Sequence, residues 1–434
     1  MKKLTKKISA VISMMLVVAL LAACGGGSSS GNYDQGVTDD EILVGNVFGQ
    51  SGAFAFIGVP IVESARAVVE RANAHGGIGG RTIRWISYDD GFDPTVGHTL
   101  IERLLEEHRV FALAGISGGQ AATSLDYMLD FGVPIVNMTG GMGTLYSEHN
   151  PGGMMFNIQP ANTIDGPLLL ANVLARQVYG PNRDQYLPDD ARIGLFLNNT
   201  DAGHEHLNSM MALARELGIE DRLDYEFVTP DIYMTVIQRM MNDNVQVLIN
   251  GTLDGAGIVA SMEDAGWLVP VFSHYGQSTI TSFAAGTYHP QRPLFATIWA
   301  EDTSPQALEM LADMRDSLNY IDMSDAERDG FVDNGFARAG YMMGVVLVEA
   351  LQRIYDMDLD WTWENFLYAM ESAPFESMGG VPAFSFANGR RMGVESLALW
   401  EFWVNANGEA EVGVISEFNT VDEILAPWRV RTGR

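Results

Sequence analysis

Residues 42–90 read ILVGNVFGQSGAFAFIGVPIVESARAVVERANAHGGIGGRTIRWISYDD, and this stretch decides the fold. Its first seven residues form an apolar run rich in β-branched residues, short enough for a buried strand. Apolar residues at helical spacing follow over 61–74, stopped by Gly76-Gly77, and a second strand pattern covers 82–88. A strand, a helix and a strand in that order predict a β-α-β unit with parallel strands.

The rhythm continues in both directions from this unit. Strand patterns at 110–114 and 133–137 flank a helix at 121–130, with another helix after Asp93-Pro94. The order then restarts: helix 164–178, strand 192–197, helix 205–217, strand 225–228, helix 234–242, strand 245–250, helix 258–265 and strand 269–273. Two such series, each too short for a barrel, predict an α/β protein of two doubly wound lobes. Helices near 304–318, 329–355 and 363–371 are expected to complete the first lobe. Strands near 397–405 and 411–415, joined by Ala406-Asn407-Gly408, are expected to form a terminal hairpin.

The N-terminus carries a different message. Four lysines within residues 1–7 precede an apolar run over 8–23 and then Cys24. The run is shorter than the roughly 20 residues a spanning helix needs, so a cleaved secretion signal fits better than a membrane anchor. Leu21-Ala22-Ala23-Cys24 resembles a lipobox, and Cys24 is the only cysteine of the 434 residues, so it has no internal disulfide partner. Lipidation at Cys24 and a flexible tether from 24 to 38, opening GGGSSSG, are therefore expected. Cleavage would leave 411 residues, enough for two domains, with 22 basic residues against 55 acidic ones. That charge argues against nucleic acid or anionic lipid as partners. It does not by itself indicate a cationic ligand.

Open parallel sheets bind ligands beyond the carboxyl ends of their strands, so the strand-to-helix loops are the place to look. The loop after the first strand contains Phe54, Phe56 and Ile57 among small residues; these side chains either face a ligand or fold back onto the core. Gly115-Ile116-Ser117-Gly118-Gly119-Gln120 runs straight into a helix, where free amides could receive a carboxylate. The same glycines could equally serve a tight turn. No Gly-Lys-Ser/Thr follows and G-x-G-x-x-G is missing, which argues against a nucleotide. His204-Glu205-His206 is a poor metal site, because residues two apart on a helix point about 200° apart. Both histidines are expected at the surface of a helix start. No Gly-x-Ser-x-Gly elbow or other catalytic cluster appears, so neither an enzyme nor a cofactor is expected.

Taken together, Gly49-Gln50-Ser51-Gly52, the stretch from Arg71 to Gly80, Tyr88-Asp89-Asp90 with Asp93-Pro94, Gly132-Val133-Pro134-Ile135-Val136 and Trp400-Glu401-Phe402 resemble an ABC-importer substrate-binding protein of the branched-chain amino acid (Leu/Ile/Val) group. The resemblance covers most of residues 41–415. It implies the type I periplasmic binding protein fold, two lobes joined by a three-stranded hinge and closing on a ligand. Lobe 1 would comprise 39–158 and 293–392, lobe 2 159–292 and 393–434. It implies permease subunits of an importer as partners, and an extracytoplasmic location. A ligand-sensing receptor domain of the same fold is the competing class.

By the same resemblance, Ser117, Gly118 and Gly119 with Thr139, Gly140 and Gly141 would hold a ligand carboxylate, and Asp201, Thr252 and Tyr275 would contribute from the second lobe. Where amino-acid binders place an acidic residue for the ammonium, this sequence has Tyr275. A phenol cannot pair a buried charge, and an unpaired ammonium would cost several kcal/mol. Asp201 could replace the missing acid or could cap the helix that follows it. An apolar or aromatic small acid, or a related amide, is therefore expected to bind better than leucine, isoleucine or valine.

Overall fold

The computed structural model describes residues 33–52, 55–138, 149–252, 254–277, 292–300, 304–375, 380–404 and 410–433, with Gly143, Leu145 and Asn407 besides. The leader, Cys24 and the start of the tether lie outside these residues, as do Phe54, Thr139, Gly140 and Gly141.

The first lobe opens with β1 (Glu41–Phe48), α1 (Ala55–Ala74), β2 (Thr82–Asp89), α2 (Pro94–Glu102), β3 (Ala112–Ile116), α3 (Gly118–Thr123), α4 (Leu125–Phe131), β4 (Ile135–Asn137) and β5 (Met155–Asn157). The second contains α5 (Asn162–Ala175), β6 (Arg192–Leu197), α6 (Asp201–Glu216), β7 (Leu223–Phe227), α7 (Tyr233–Asn242), β8 (Val245–Gly251), α8 (Gly255–Asp264), β9 (Val271–Ser273) and β10 (Leu294–Ile298). Helices α9 (Pro305–Ser317), α10 (Asp325–Val332), α11 (Gly335–Asp356) and α12 (Trp363–Glu371) return to the first lobe. Strands β11 (Leu397–Val404) and β12 (Ala410–Asn419) and helix α13 (Val421–Thr432) finish the second.

Both sheets are wound alike. The first has the order β2-β1-β3-β4-β5, all parallel; the second has β7-β6-β8-β9-β10 in the same sense, extended by antiparallel β11 and β12. Each sheet therefore has a switch point, at β1/β3 and at β6/β8, where flanking loops diverge and leave a crevice. The chain passes between the sheets after β5, after β10 and before β11.

Several sequence expectations shift. Strand β10 joins the second sheet, so residues 294–298 lie beyond the boundary expected at 293. The helix expected over 329–355 is two, α10 and α11, broken where Asn334 caps the second by accepting from the Phe336 and Ala337 amides. Helix α13 was not expected, although Thr420 and Glu423 form the capping box that announces it. The first helix begins at Ala55, so Phe56 and Ile57 sit in its first turn rather than in a loop.

The first lobe's core depends on close helix contact. Gly340 and Gly344, four apart on one face of α11, meet α1 so tightly that a Cβ on Gly340 would fall 2.1 Å from the Ile61 carbonyl oxygen. The stretch from Arg71 to Gly80 is equally structural. Arg71 makes a bidentate pair with Asp313 at 2.7 and 2.9 Å, and Asn73 bonds both backbone groups of Ile83 at 2.8 Å. Gly77 turns with φ +68°, and a Cβ there would lie 2.0 Å from the Arg81 carbonyl oxygen.

Candidate ligand-binding site

Buried asparagines fix the strand ends from which the site grows. Asn46, near the end of β1, donates to the carbonyls of Ala114 and Gly115 at 2.7 and 2.8 Å. Asn137, ending β4, accepts from the Ile116 amide and donates to its carbonyl. Asn250, near the end of β8, accepts from the Thr252 amide and hydroxyl. Each satisfies backbone groups that would otherwise be orphaned where the ladder stops.

Between the two switch points lies a cleft of about 980 Å³. Its first-lobe wall is apolar and aromatic, with Phe48, Ile57, Ile61, Phe92 and Phe336, and Trp299 stands where the chain crosses between lobes. The second-lobe wall is polar, with Asn198, Thr200, Asp201, His206, His274 and Tyr275. Among the described residues that line it there is no lysine or arginine.

Of the expected site residues, Ile57, Ser117, Gly118, Gly119, Asp201 and Tyr275 line this cleft. Thr252 does not: it is buried, its hydroxyl bonded to Asn250 and its carbonyl to His274. Ser117 precedes α3 but makes no capping bond, and its buried hydroxyl has no partner among the described residues. Gly115, in contrast, serves the turn: its φ is +80°, and a Cβ would strike the Asn46 amide. The Asp201 question has a geometric answer, because Thr200 caps α6 by accepting from the Gly203 amide. Asp201 is the first helical residue, exposed to the cleft.

The histidines separate as helix geometry requires, but only one is at the surface. His204 is exposed and bonds Asn199 at 2.9 Å. His206 is 3% exposed and pairs with the fully buried Asp165 at 3.0 Å. Its reading as a surface residue is corrected by a partner 41 positions away, which no local pattern announces. His274 donates from Nε2 to the Thr252 carbonyl and accepts at Nδ1 from the Gly276 amide. Burial, then the neighbouring His206, pushes its pKa down to about 4 against the pull of Asp165, so it stays neutral.

Phe92 was missed, yet the Asp89-Asp90-Asp93 spacing is built to hold it. Asp89 accepts from the Gln50 and Gly91 amides, Asp90 from the Phe92 amide, and Asp93 caps α2 through Thr95 and Val96. These bonds keep Phe92 at φ +67°, a conformation rare for an aromatic residue, with its side chain on the cleft. Phe336 was missed because the break before α11 was not read.

The sequence matches the periplasmic binding protein family over residues 41–403. The chain belongs to that family. Its members bind solutes outside the cytoplasm, and among the described residues no helix is long and apolar enough to cross a membrane. No curated protein matches the sequence. Among solved structures, the chain resembles a fatty acid ABC transporter substrate-binding protein from Thermomonospora curvata (16% identity, TM-score 0.70, 92% of this chain and 97% of that one). A branched-chain amino acid ABC transporter protein from Thermus thermophilus with bound valine is similar at 13% identity and TM-score 0.70, over 90% of this chain and 99% of that one. A solute-binding protein of R. palustris in complex with 4-hydroxybenzoate is similar at 15% identity and TM-score 0.65, over 88% and 97%. Identities this low speak for a shared fold.

Proposed function

We propose that this family member captures an apolar or aromatic small carboxylate, or a related amide, between its lobes and delivers it to the permease of an ABC importer. The observation that carries the reading is the divided cleft: an aromatic and aliphatic wall to cover a ligand body, with the partnerless Ser117 hydroxyl and the Gly118–Gly119 amides for its oxygen atoms. No side-chain cation lines the described cleft, so a carboxylate would be held by neutral donors. The neighbours that bind a fatty acid and 4-hydroxybenzoate illustrate such cargo on this fold.

Thermal unfolding and calorimetry with aliphatic amino acids, aromatic carboxylates, fatty acids and amides test it. A ligand at 100 times its Kd should add about 2.7 kcal/mol to folding. The free position of Asp201 favours one competing reading, an amino acid whose ammonium meets that carboxylate. Micromolar leucine binding that disappears in Asp201→Ala would establish the competitor and overturn the proposal.

We further propose that Cys24 is the lipid-modified mature N-terminus, on the strength of its position after the apolar leader. Cys24→Ser should move the protein from the membrane to the soluble fraction. Mass spectrometry of the native protein showing an intact leader or an unmodified thiol would refute the anchor.

A further inference from the structure

The polar wall of the second lobe contains a hydrogen-bond chain with one open end. Asp165, in the first turn of α5, is fully buried. Its Oδ1 accepts from the Thr297 hydroxyl at 2.5 Å, and its Oδ2 lies 3.0 Å from His206 Nε2. A carboxylate accepts and does not donate, so in the neutral imidazole it places the proton on Nε2 and leaves a lone pair on Nδ1.

What Nδ1 faces is set by Gly251, the last residue of β8, which lines the cleft. A Cβ on Gly251 would lie 3.0 Å from His206 Nδ1. The glycine does not stand in a left-handed conformation, so its backbone does not require the missing side chain. The missing Cβ makes room for Leu197 Cδ2, which would lie 2.8 Å from it, and leaves the ring nitrogen uncovered. The neighbouring imidazole offers no such atom, since both nitrogens of His274 are occupied within the protein. An acceptor held this rigidly, in a residue 3% exposed and lining the cleft, has no described protein partner and awaits one from outside.

We infer that His206 is a specificity-determining residue, positioned by Asp165, whose Nδ1 accepts a hydrogen bond from an O–H or N–H group of the bound molecule. The inference rests on the proposed capture of a small carboxylate and narrows it to acids that carry a donor apart from the carboxyl group. A hydroxyl supplies that donor under the proposed capture of an apolar or aromatic acid, and an ammonium supplies it under the competing amino-acid reading. A site built around a polar contact rejects the analogue lacking it, because its own buried group is then left unpaired.

The test is calorimetry of the mature protein with two matched pairs: 4-hydroxybenzoate against benzoate, and leucine against 4-methylpentanoate. We expect the donor-bearing member of one pair to bind at least tenfold tighter, and which pair responds identifies hydroxyl or ammonium. His206→Gln keeps an amide donor for Asp165 while removing the ring acceptor, and should reduce the preference to within threefold with the unsubstituted acid binding as before. Gly251→Ala removes no polar group and should have the same effect by covering Nδ1. His206→Asn, which restores an acceptor near the Nδ1 position, should recover part of the preference. A preference surviving in both His206→Gln and Gly251→Ala, in proteins that unfold cooperatively, would overturn the assignment. Equal binding of both members of each pair to the parent protein would overturn it while leaving carboxylate capture intact. Binding of none of the four would remove both.

Discussion

A Gly340→Val variant is expected to unfold about 3–4 °C below the parent protein, corresponding to a loss of about 3 kcal/mol. The added Cβ would sit 2.1 Å from the Ile61 carbonyl oxygen, which is backbone and cannot rotate away. Helices α1 and α11 would have to separate, and with them Ile61, Ala65, Val346 and Leu347 of the first lobe's core. The matched control is Gly330→Ala in α10, where a Cβ meets nothing within 4 Å. That change should stabilise by about 0.5–1 kcal/mol through helix propensity. Differential scanning calorimetry of both separates a packing effect from a general intolerance of glycine substitution. An unchanged melting temperature for Gly340→Val would show that the two helices are not in close contact.

An Asp90→Asn variant is expected to be more stable than the parent at neutral pH, by about 1–3 kcal/mol, and no more stable in acid. Asp90 is 3% exposed, and its Oδ2 has no well-formed hydrogen bond among the described residues. Burial raises its pKa above the ordinary aspartate range, and the Phe92 amide and the nearby Gln120 side chain offset only part of that. A carboxyl whose folded pKa is raised contributes its full stability below the unfolded pKa and loses it as pH rises through the folded one. Asparagine does not titrate and keeps an oxygen for the Phe92 amide. Chemical denaturation from pH 3 to pH 8 should therefore show the two proteins diverging as pH rises from the unfolded aspartate pKa. Asp89 shifts the other way, its carboxylate favoured by bonds from Ser51 and the Gly91 and Gln50 amides that outweigh its burial, and it is unchanged in both proteins. Parallel stability curves across that range would contradict the account.

How much of this was legible in the sequence follows from the range over which each determinant acts. Strands β1 and β2 and helix α1 declare themselves within a dozen residues, through apolar period and glycine stops, and so does the split into two series. The Ser117–Gly119 loop follows from a strand end running into a helix, whereas Asp201 is placed by the family resemblance. Phe92 was not readable, because its place depends on three aspartates acting together on one turn. His206 differs from the exposed His204 two residues before it for a similar reason: its partners Asp165 and Gly251 arrive from other elements. Thr252 was assigned by analogy with a loop position, but the Asn250 side chain draws its hydroxyl inward. Helices α10 and α13 were different, since Ser324 with Glu327 and Thr420 with Glu423 are capping boxes within four residues. Those signals were present and went unread.

The threefold passage of the chain between the sheets has a consequence for biogenesis. Helix α1 finds its main helix partner in α11, more than 260 positions later, and β10 finds its antiparallel neighbour in β11. A chain emerging N-terminus first, from ribosome or translocon, can therefore complete neither lobe until most of its length is out. The first lobe waits for residues 335–371 and the second for 397–432, so no early half can fold and jam a narrow channel. Premature termination before α11 would leave both lobes with uncovered apolar faces, and termination between α12 and β11 would leave the second lobe so, exposing such truncated products to proteolysis.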